Sequence, residues 1–375
     1  MLPPYIFIQD IDDWQDCLAD LKKATRIGVD LESNSMYVYR EYICLIQVST
    51  SEQDYIIDPL QGLDLSEFGS LLADPSVEKI FHAGEYDFML MMREHGWQVN
   101  NLFDTMLAAR VVGHKKIGLA SLMDEIFDIE LDKKYQRANW GERPLPQPQM
   151  AYAQRDTHYL FQLRDHLLDE LAELGRLAEA EEMFFHQTRV KLNDQTFDPN
   201  GFWYLSGVKK LPRERLTILR ALYILRDEIA KKLNKPLFKV IGNSQLMQMA
   251  HHPPISYDEL SRVRGLSYQL VRREGRRILA AIREAQNEPI PQRPAGPKRP
   301  SEAIMNRFET LQTWRKHRAL ERGVESDVIV SKDAIWAMAR QNPQSTADLE
   351  QLSDIIGPVR IKLYGSEMLS VLSTL

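Results

Sequence analysis

Apolar and polar positions divide this chain into a part that mixes strands and helices and a longer part that is almost wholly helical. Residues 5–8 read as a first strand, and Asp12-Asp13-Trp14 opens an amphipathic helix to about Ala24 with Leu18 and Leu21 on one face. Residues 27–32, 43–49 and 54–58 read as further strands, the last closed by Pro59. A helix follows over 63–72. A short strand over 78–81 then runs through His82-Ala-Gly-Glu-Tyr-Asp87 into a helix begun by Asp87, and Asp104-Thr105 cap the helix to Val112. Strands that follow strands and then alternate with helices indicate an α/β domain with a mixed sheet.

From Gly118 to about Gly175 the spacing is helical, broken by Trp140-Gly-Glu-Arg-Pro-Leu-Pro-Gln-Pro148, whose three prolines resist any regular element. Gln149 starts the next helix, with Met150, Ala153, Thr157 and Leu160 at helical spacing. Phe197-Asp-Pro-Asn-Gly201 reads as a boundary loop. Helices are expected over 213–233, 244–250, from a capping-box-like Ser256-Tyr-Asp-Glu259, and over 269–283. After a stretch with five prolines, 287–300, the same order returns, and Leu246-Met-Gln-Met-Ala250 is echoed by Ile335-Trp-Ala-Met-Ala339. The expected organisation is therefore a first domain over 1–200, a helical unit over 209–288, a proline-rich linker over 289–300 and a degenerate second helical unit over 301–375.

Charge sharpens this division. The formal net charge of −6 conceals 18 basic against 35 acidic residues in 1–208, 17 against 7 in 209–286, and 12 against 11 in 287–375. A segment this basic on an acidic protein points to polyphosphate as a partner, since clustered Lys and Arg attract nucleic acid irrespective of sequence. Its alternatives are a solvated helical face or docking onto the acidic half. The N-terminus lacks a basic start and a signal-type apolar core, and no apolar run reaches 18 residues. Cys17 and Cys44 stand alone, without metal-ligand spacing, as in a reduced cytosolic protein. A cytoplasmic monomer with no membrane partner is the expectation.

Candidate chemistry begins with Arg26-Ile-Gly-Val-Asp-Leu-Glu-Ser33. Residues two apart on a strand share a face, so Asp30 and Glu32 project side by side. Carboxylates this close repel unless one protonates or a cation lies between them, and hard oxygen ligands suit Mg²⁺ or Mn²⁺. Read singly, the pair is also a solvated strand end, Asp87 a helix cap, and Tyr152 with Asp156 a surface pair four apart on one helical face.

Asp30, Glu32, Asp87 and Asp156 with Tyr152, set in an α/β domain, resemble the tyrosine branch of the Asp-Glu-Asp-Asp exonuclease superfamily. Gly28-Val-Asp-Leu-Glu32, Leu45-Ile-Gln-Val48, Phe103-Asp-Thr105, Gly118-Leu-Ala-Ser-Leu122 and Asn139-Trp-Gly-Glu-Arg-Pro-Leu145 look like further blocks of that family, across roughly 5–170. The repeated helical unit resembles the HRDC domain, a nucleic-acid-binding module. Together they imply a ribonuclease H-like α/β exonuclease domain followed by two all-α HRDC-like domains. They also imply a 3′→5′ exoribonuclease that uses two divalent ions, Mg²⁺ or Mn²⁺, releases nucleoside 5′-monophosphates, and matures tRNA precursors and other small structured RNAs. By the same resemblance, Asp30 bridges the ions, Glu32 and Asp156 complete the water-activating site, Asp87 holds the other ion through water, and Tyr152 positions the attacking water. Lys133, Lys134 and Arg137 are candidates for contacts to substrate phosphates or a splayed base. Arg262, Arg264, Arg272, Arg273, Arg276 and Arg277 are candidates for phosphate contacts on the first helical unit. The family usually has Asn after the motif histidine, where this chain has Ala83. A DNA 3′→5′ exonuclease of the same superfamily and a non-catalytic RNA-binding protein are the alternative functions.

Overall fold

In the computed structural model, which describes residues 2–189, 191–192, 196–296 and 298–374, the alternating runs of the N-terminal half form β1 (Ile6–Ile8), β2 (Arg26–Ser33), β3 (Ile43–Ser49), β4 (Asp54–Ile57), β5 (Glu78–Phe81) and β6 (Leu102–Asp104). They make one mixed sheet in the order β1-β4-β3-β2-β5-β6. β2, β3 and β4 are antiparallel, β1 runs parallel to β4, and β5 and β6 continue parallel to β2. Interspersed are α1 (Ile11–Leu21), α2 (Ser66–Ala73), α3 (Glu85–His95), α4 (Thr105–Val112), α5 (Leu119–Phe127), α6 (Gln147–His158), α7 (Leu160–Glu173) and α8 (Leu177–Thr188).

Strand alternation sorts the side chains between two layers. Ile27, Val29 and Leu31 of β2 join Ile46 and Val48 of β3 in the main core with Trp14, Phe68 and Phe88. Leu45 and Ile56 point the other way and pack with Trp140, Met150, Tyr152 and Ala153, beneath α6. Covered on both faces, β3 is buried along its whole length. Gly28 permits this covering, because a Cβ there would lie 3.2 Å from the Thr157 carbonyl.

Two helix starts that bear on the site differ from the sequence expectation. α6 begins at Gln147, not Gln149, and takes Pro148 into its first turn, where no backbone N–H is needed. α3 begins at Glu85, so Asp87 lies inside the first turn and is not the cap. Asp104 is the N-cap of α4, accepting from the backbone N–H of Met106 and Leu107.

The described residues form two compact units, one within 2–33, 43–189, 191–192 and 298–374, the other within 34–42 and 196–296. The second contains α9 (Leu216–Leu233), α10 (Leu237–Val240), α11 (Asn243–His251), α12 (Tyr257–Ser261) and α13 (Tyr268–Ala285) around a core that includes Leu219, Leu222, Leu246, Leu260 and Ile278. Residues 34–42, which connect β2 to β3, belong to this unit: the Tyr39 hydroxyl donates to Asp227 at 2.8 Å, its backbone N–H donates to Asn234 Oδ1, and Lys239 lies 4.0 Å above the Tyr37 ring.

The repeat is closed by α14 (Glu302–Arg322), α15 (Ser326–Ile329), α16 (Lys332–Gln341), α17 (Thr346–Glu350), α18 (Ser353–Ile356) and α19 (Pro358–Ser373). Pro297 of the proline-rich linker lies outside the described residues. Ser256 and Ser345 cap corresponding helices, each accepting from the N–H three residues on, with Glu259 and Asp348 reaching back to backbone N–H groups. This second copy is joined to the nuclease fold by ion pairs. Arg322 makes a bidentate pair with Glu179 at 2.7 and 2.8 Å, and Arg360 pairs with Glu182 at 2.6 Å with both side chains buried. Arg176 donates to the carbonyls of Val111, Val112 and Arg322, Arg110 meets Glu325 and Asp327, and Val328 enters the nuclease core. Arg322 and Arg360 of the second copy are thus committed to the nuclease fold. No helix among the described residues is long and apolar enough to cross a membrane.

Arg322→Ala leaves the buried Glu179 carboxylate with Tyr364 as its remaining hydrogen-bond partner, and is expected to cost about 3 kcal/mol. A urea titration reads this as a lowered midpoint; an unchanged midpoint would show that the ion pairs do not hold the second copy in place.

Candidate active site

Three elements converge on one point of the sheet. β2 contributes Asp30 and Glu32, α6 contributes Tyr152 and Asp156, and α3 contributes Asp87. Carboxylate oxygens of Asp30, Glu32 and Asp156 all lie within 4.8 Å of one another, and these three side chains are half-buried. Asp87 is buried and does not join that group, but it is close enough to act electrostatically on Glu32. The strand pairing shifts register between Glu32 and Ser33, so β3 carries one extra residue opposite the site. Such bulges twist a strand and re-aim side chains.

α6 is fixed to the sheet by polar contacts absent from the sequence reading. Asp54 at the start of β4, nearly fully buried, accepts from Ser49 Oγ at 2.6 Å and from Gln154 Nε2 at 2.6 Å, and faces His158 Nδ1 at 2.9 Å. Ser49 Oγ also bonds Thr157 Oγ1 at 2.8 Å. Gln154, Thr157 and His158 therefore set the rotation of α6, which carries Tyr152 and Asp156 over Asp30. Gln154-x-x-Thr157-His158 sits on the same helix as the Tyr-Asp pair, so its spacing was visible, but its partner on a distant strand was not.

The loop over 140–148 completes the wall. Arg143 forms a double contact with the buried Asp58 at 2.6 and 2.7 Å and donates to the carbonyls of Trp140 and Cys44. Trp140 then lies 6.0 Å, and Tyr135 6.1 Å, from the Tyr152 ring, centroid to centroid. On the other side of the site, Asp104 accepts from the N–H groups of Ala83 and Gly84, and His82 Nδ1 meets Thr105 Oγ1 at 2.9 Å. Burial holds the His82 imidazole down at about 4, which makes it a neutral hydrogen-bonding group. Ala83 has φ +63°, a left-handed conformation that costs a side chain with a Cβ about 1 kcal/mol and that Asn adopts more readily. The family residue at this position thus fits the turn's backbone.

The carboxylates are electrostatically strained. Burial pushes Asp30 up to about 7. Glu32 is raised well above the carboxylate range by burial and then by Asp30, Asp156 and Asp87, and Asp87 by burial and then by Asp30 and Asp104. Asp156 is raised by burial and by Asp30, offset in part by the Tyr152 hydroxyl, which bonds it, and by Arg155. Burial and the surrounding carboxylates push the Tyr152 phenol upward, so it stays protonated and donates. Converging hard oxygens with unrelieved mutual repulsion are a donor set that fits a divalent cation.

The remaining predicted residues lie elsewhere. Lys133, Lys134 and Arg137 are exposed ahead of Trp140, with Lys134 over the Tyr135 ring at 5.3 Å. Arg262, Arg264, Arg272, Arg273 and Arg276 are exposed on the first helical unit, whereas Arg277 is half-buried and paired with Glu274 and Glu228.

A carboxylate whose pKa is raised on folding keeps, in the folded chain, a proton that the unfolded chain has released. Without metal, stability therefore falls as pH rises from about 4 through the raised value, near 7 for Asp30. Asp30→Asn is expected to raise metal-free stability at pH 8 by about 1–3 kcal/mol and to flatten this decline. Thermal melts in chelator at pH 5 and pH 8 measure both; a variant less stable than the wild type at pH 8 would contradict the electrostatics.

Comparison with known proteins places these features. Residues 5–172 match the family described as 3′-5′ exonuclease, and residues 215–282 and 305–372 each match the HRDC domain. Ribonuclease D of Granulibacter bethesdensis is 31% identical, over 98% of this chain and 94% of its own length. The exosome complex exonuclease RRP6 of Saccharomyces cerevisiae is also 31% identical, over 66% of this chain, which spans only 36% of that longer protein. The crystal structure of Escherichia coli RNase D, described as an exoribonuclease involved in structured RNA processing, superposes with a TM-score of 0.67 at 23% identity, covering 99% of both chains, and so shares the fold. Its exonuclease domain, its paired HRDC domains and its end-to-end likeness to a bacterial relative make this chain a member of the ribonuclease D family of metal-dependent 3′→5′ exoribonucleases.

Proposed function

We propose that the chain trims the 3′ ends of tRNA precursors and other small structured RNAs, with Asp30, Glu32, Asp87 and Asp156 holding two divalent ions, Mg²⁺ or Mn²⁺. The observation that carries this reading is the cluster of Asp30, Glu32 and Asp156 oxygens within 4.8 Å of one another, with the Tyr152 hydroxyl bonded to Asp156. When bound there, such ions would supply a nucleophile near neutral pH and charge neutralisation at the reacting phosphate.

The protein's own part is positional. Asp30, Glu32 and Asp156 would hold the ions together, with Asp87, which acts electrostatically on Asp30 and Glu32, as a further ligand. Tyr152 is a donor and not a base, because its phenol is held protonated. It orients the attacking water in line with the terminal phosphodiester, and Asp156, bonded to the same hydroxyl, fixes its direction. The products are a nucleoside 5′-monophosphate and a chain shortened by one residue. Trp140 and Tyr135 keep the Tyr152 ring from turning away. Lys133, Lys134 and Arg137 contact phosphates of the entering strand, and the exposed arginines of the first helical unit attract the RNA backbone without reading its sequence. A monomer suffices for this scheme, because one chain supplies every residue.

Release of mononucleotides from matched RNA and DNA oligomers, in Mg²⁺ or in chelator, tests the reading. RNA is expected to be shortened from its 3′ end only with the metal, and faster than DNA. Asp30→Asn is expected to lower the rate at least 10³-fold while binding of RNA stays within about threefold. Equal degradation of DNA would shift the substrate to deoxyribonucleic acid, and no metal-dependent release from either polymer would leave a binding protein.

A further inference from the structure

Gln47 is fully buried, and neither its amide nitrogen nor its amide oxygen has a hydrogen-bond partner among the described residues. A buried unpaired amide costs about 1–3 kcal/mol. Its strand neighbours Leu45, Ile46 and Val48 are aliphatic, so packing alone gives no reason for a glutamine. The strand register does. Gln47 is directly opposite Asp30 on β2 and Ile56 on β4, and residues opposite one another in antiparallel strands share a face. That face is the one covered by α6, where Leu45 and Ile56 pack with Tyr152 and Ala153. Along its own strand Gln47 is flanked by Leu45 and by Ser49, whose hydroxyl is already committed to Asp54 and Thr157. In its cross-strand row the one charged neighbour is Asp30, at a Cβ separation of about 5 Å for such a pair, within reach of a glutamine side chain.

We infer that Gln47 is a positioning residue for Asp30: its Nε2, unpaired in this structure, is placed to donate to the Asp30 carboxylate oxygen that faces β3 once a cation is bound, which would leave the other oxygen oriented toward the site. This inference rests on the reading of Asp30 as a metal ligand. A ligating carboxylate with a second oxygen left free can rotate; an amide donor from the neighbouring strand removes that freedom and favours the ionised form. Removing partners of this kind from metal ligands typically lowers metal affinity 10- to 100-fold. The free energy stored in an unsatisfied amide is then recovered when a cation holds Asp30 ionised.

The test compares the full-length wild type with Gln47→Leu, Gln47→Met and Asp30→Asn, using calorimetric titration of Mn²⁺ without nucleic acid and thermal melts in chelator. Both Gln47 variants are expected to bind Mn²⁺ at least tenfold more weakly, to melt no lower than the wild type, and to lose kcat on RNA with little change in KM. Mn²⁺ affinity within threefold of the wild type, or a loss of affinity that only accompanies a fall in melting temperature, would overturn the assignment. If the wild type and Asp30→Asn bind Mn²⁺ alike, the metal-site reading itself is wrong. If Asp30→Asn loses Mn²⁺ and both Gln47 variants keep it, only the role of Gln47 fails.

Discussion

Everything at the centre of this protein depends on keeping like charges together. Asp30, Glu32 and Asp156 repel one another in a setting where burial already disfavours each anion. Two rigid supports oppose that repulsion. β2 is paired on both sides, with β3 and β5, so Asp30 and Glu32 cannot separate without breaking the sheet. α6 is pinned by Asp54, Ser49 and Thr157, so Asp156 cannot retreat without stranding buried polar groups. The fold thus stores electrostatic free energy at one point and makes it available for binding a cation.

How much of this the sequence discloses depends on the range of each interaction. The pairing of Asp30 with Glu32 and of Tyr152 with Asp156 follows from periods of two and about four, which are local properties. The order of strands and helices was legible for the same reason, as were the caps at Asp104, Ser256 and Ser345. Contacts between distant segments were not. Arg143 is recognisable as part of a proline-rich block, yet nothing local announces that its guanidinium closes on Asp58 from below the sheet. Asp54 reads as an ordinary strand end, although its carboxylate meets three partners on β3 and α6. Pro148 misled in the other direction: proline excludes a helix interior but suits a first turn, and the boundary moved by two residues.

The two helical repeats show how one architecture takes on two tasks. Both copies keep the serine cap and the same helix order. In the first, arginines on α13 and on the loop before it remain exposed, Arg277 excepted. In the second, Arg322 and Arg360 close on Glu179 and Glu182, so these two cations serve the nuclease fold. The acidic residues of the N-terminal domain thus include one group at the site and a pair, Glu179 and Glu182, that receives its own C-terminal repeat.

That return of the chain to its starting domain changes the topology of the part between. The first helical unit is not a pendant module on a single string but an insertion, with covalent connections to the other unit at both of its ends and again through residues 34–42. A module tethered once explores a volume that grows with linker length, and its effective concentration falls accordingly. One tethered at several points has that volume capped, whatever the composition of the proline-rich segment. Lengthening this linker would therefore add less freedom than the same insertion in a chain that ended after the first repeat.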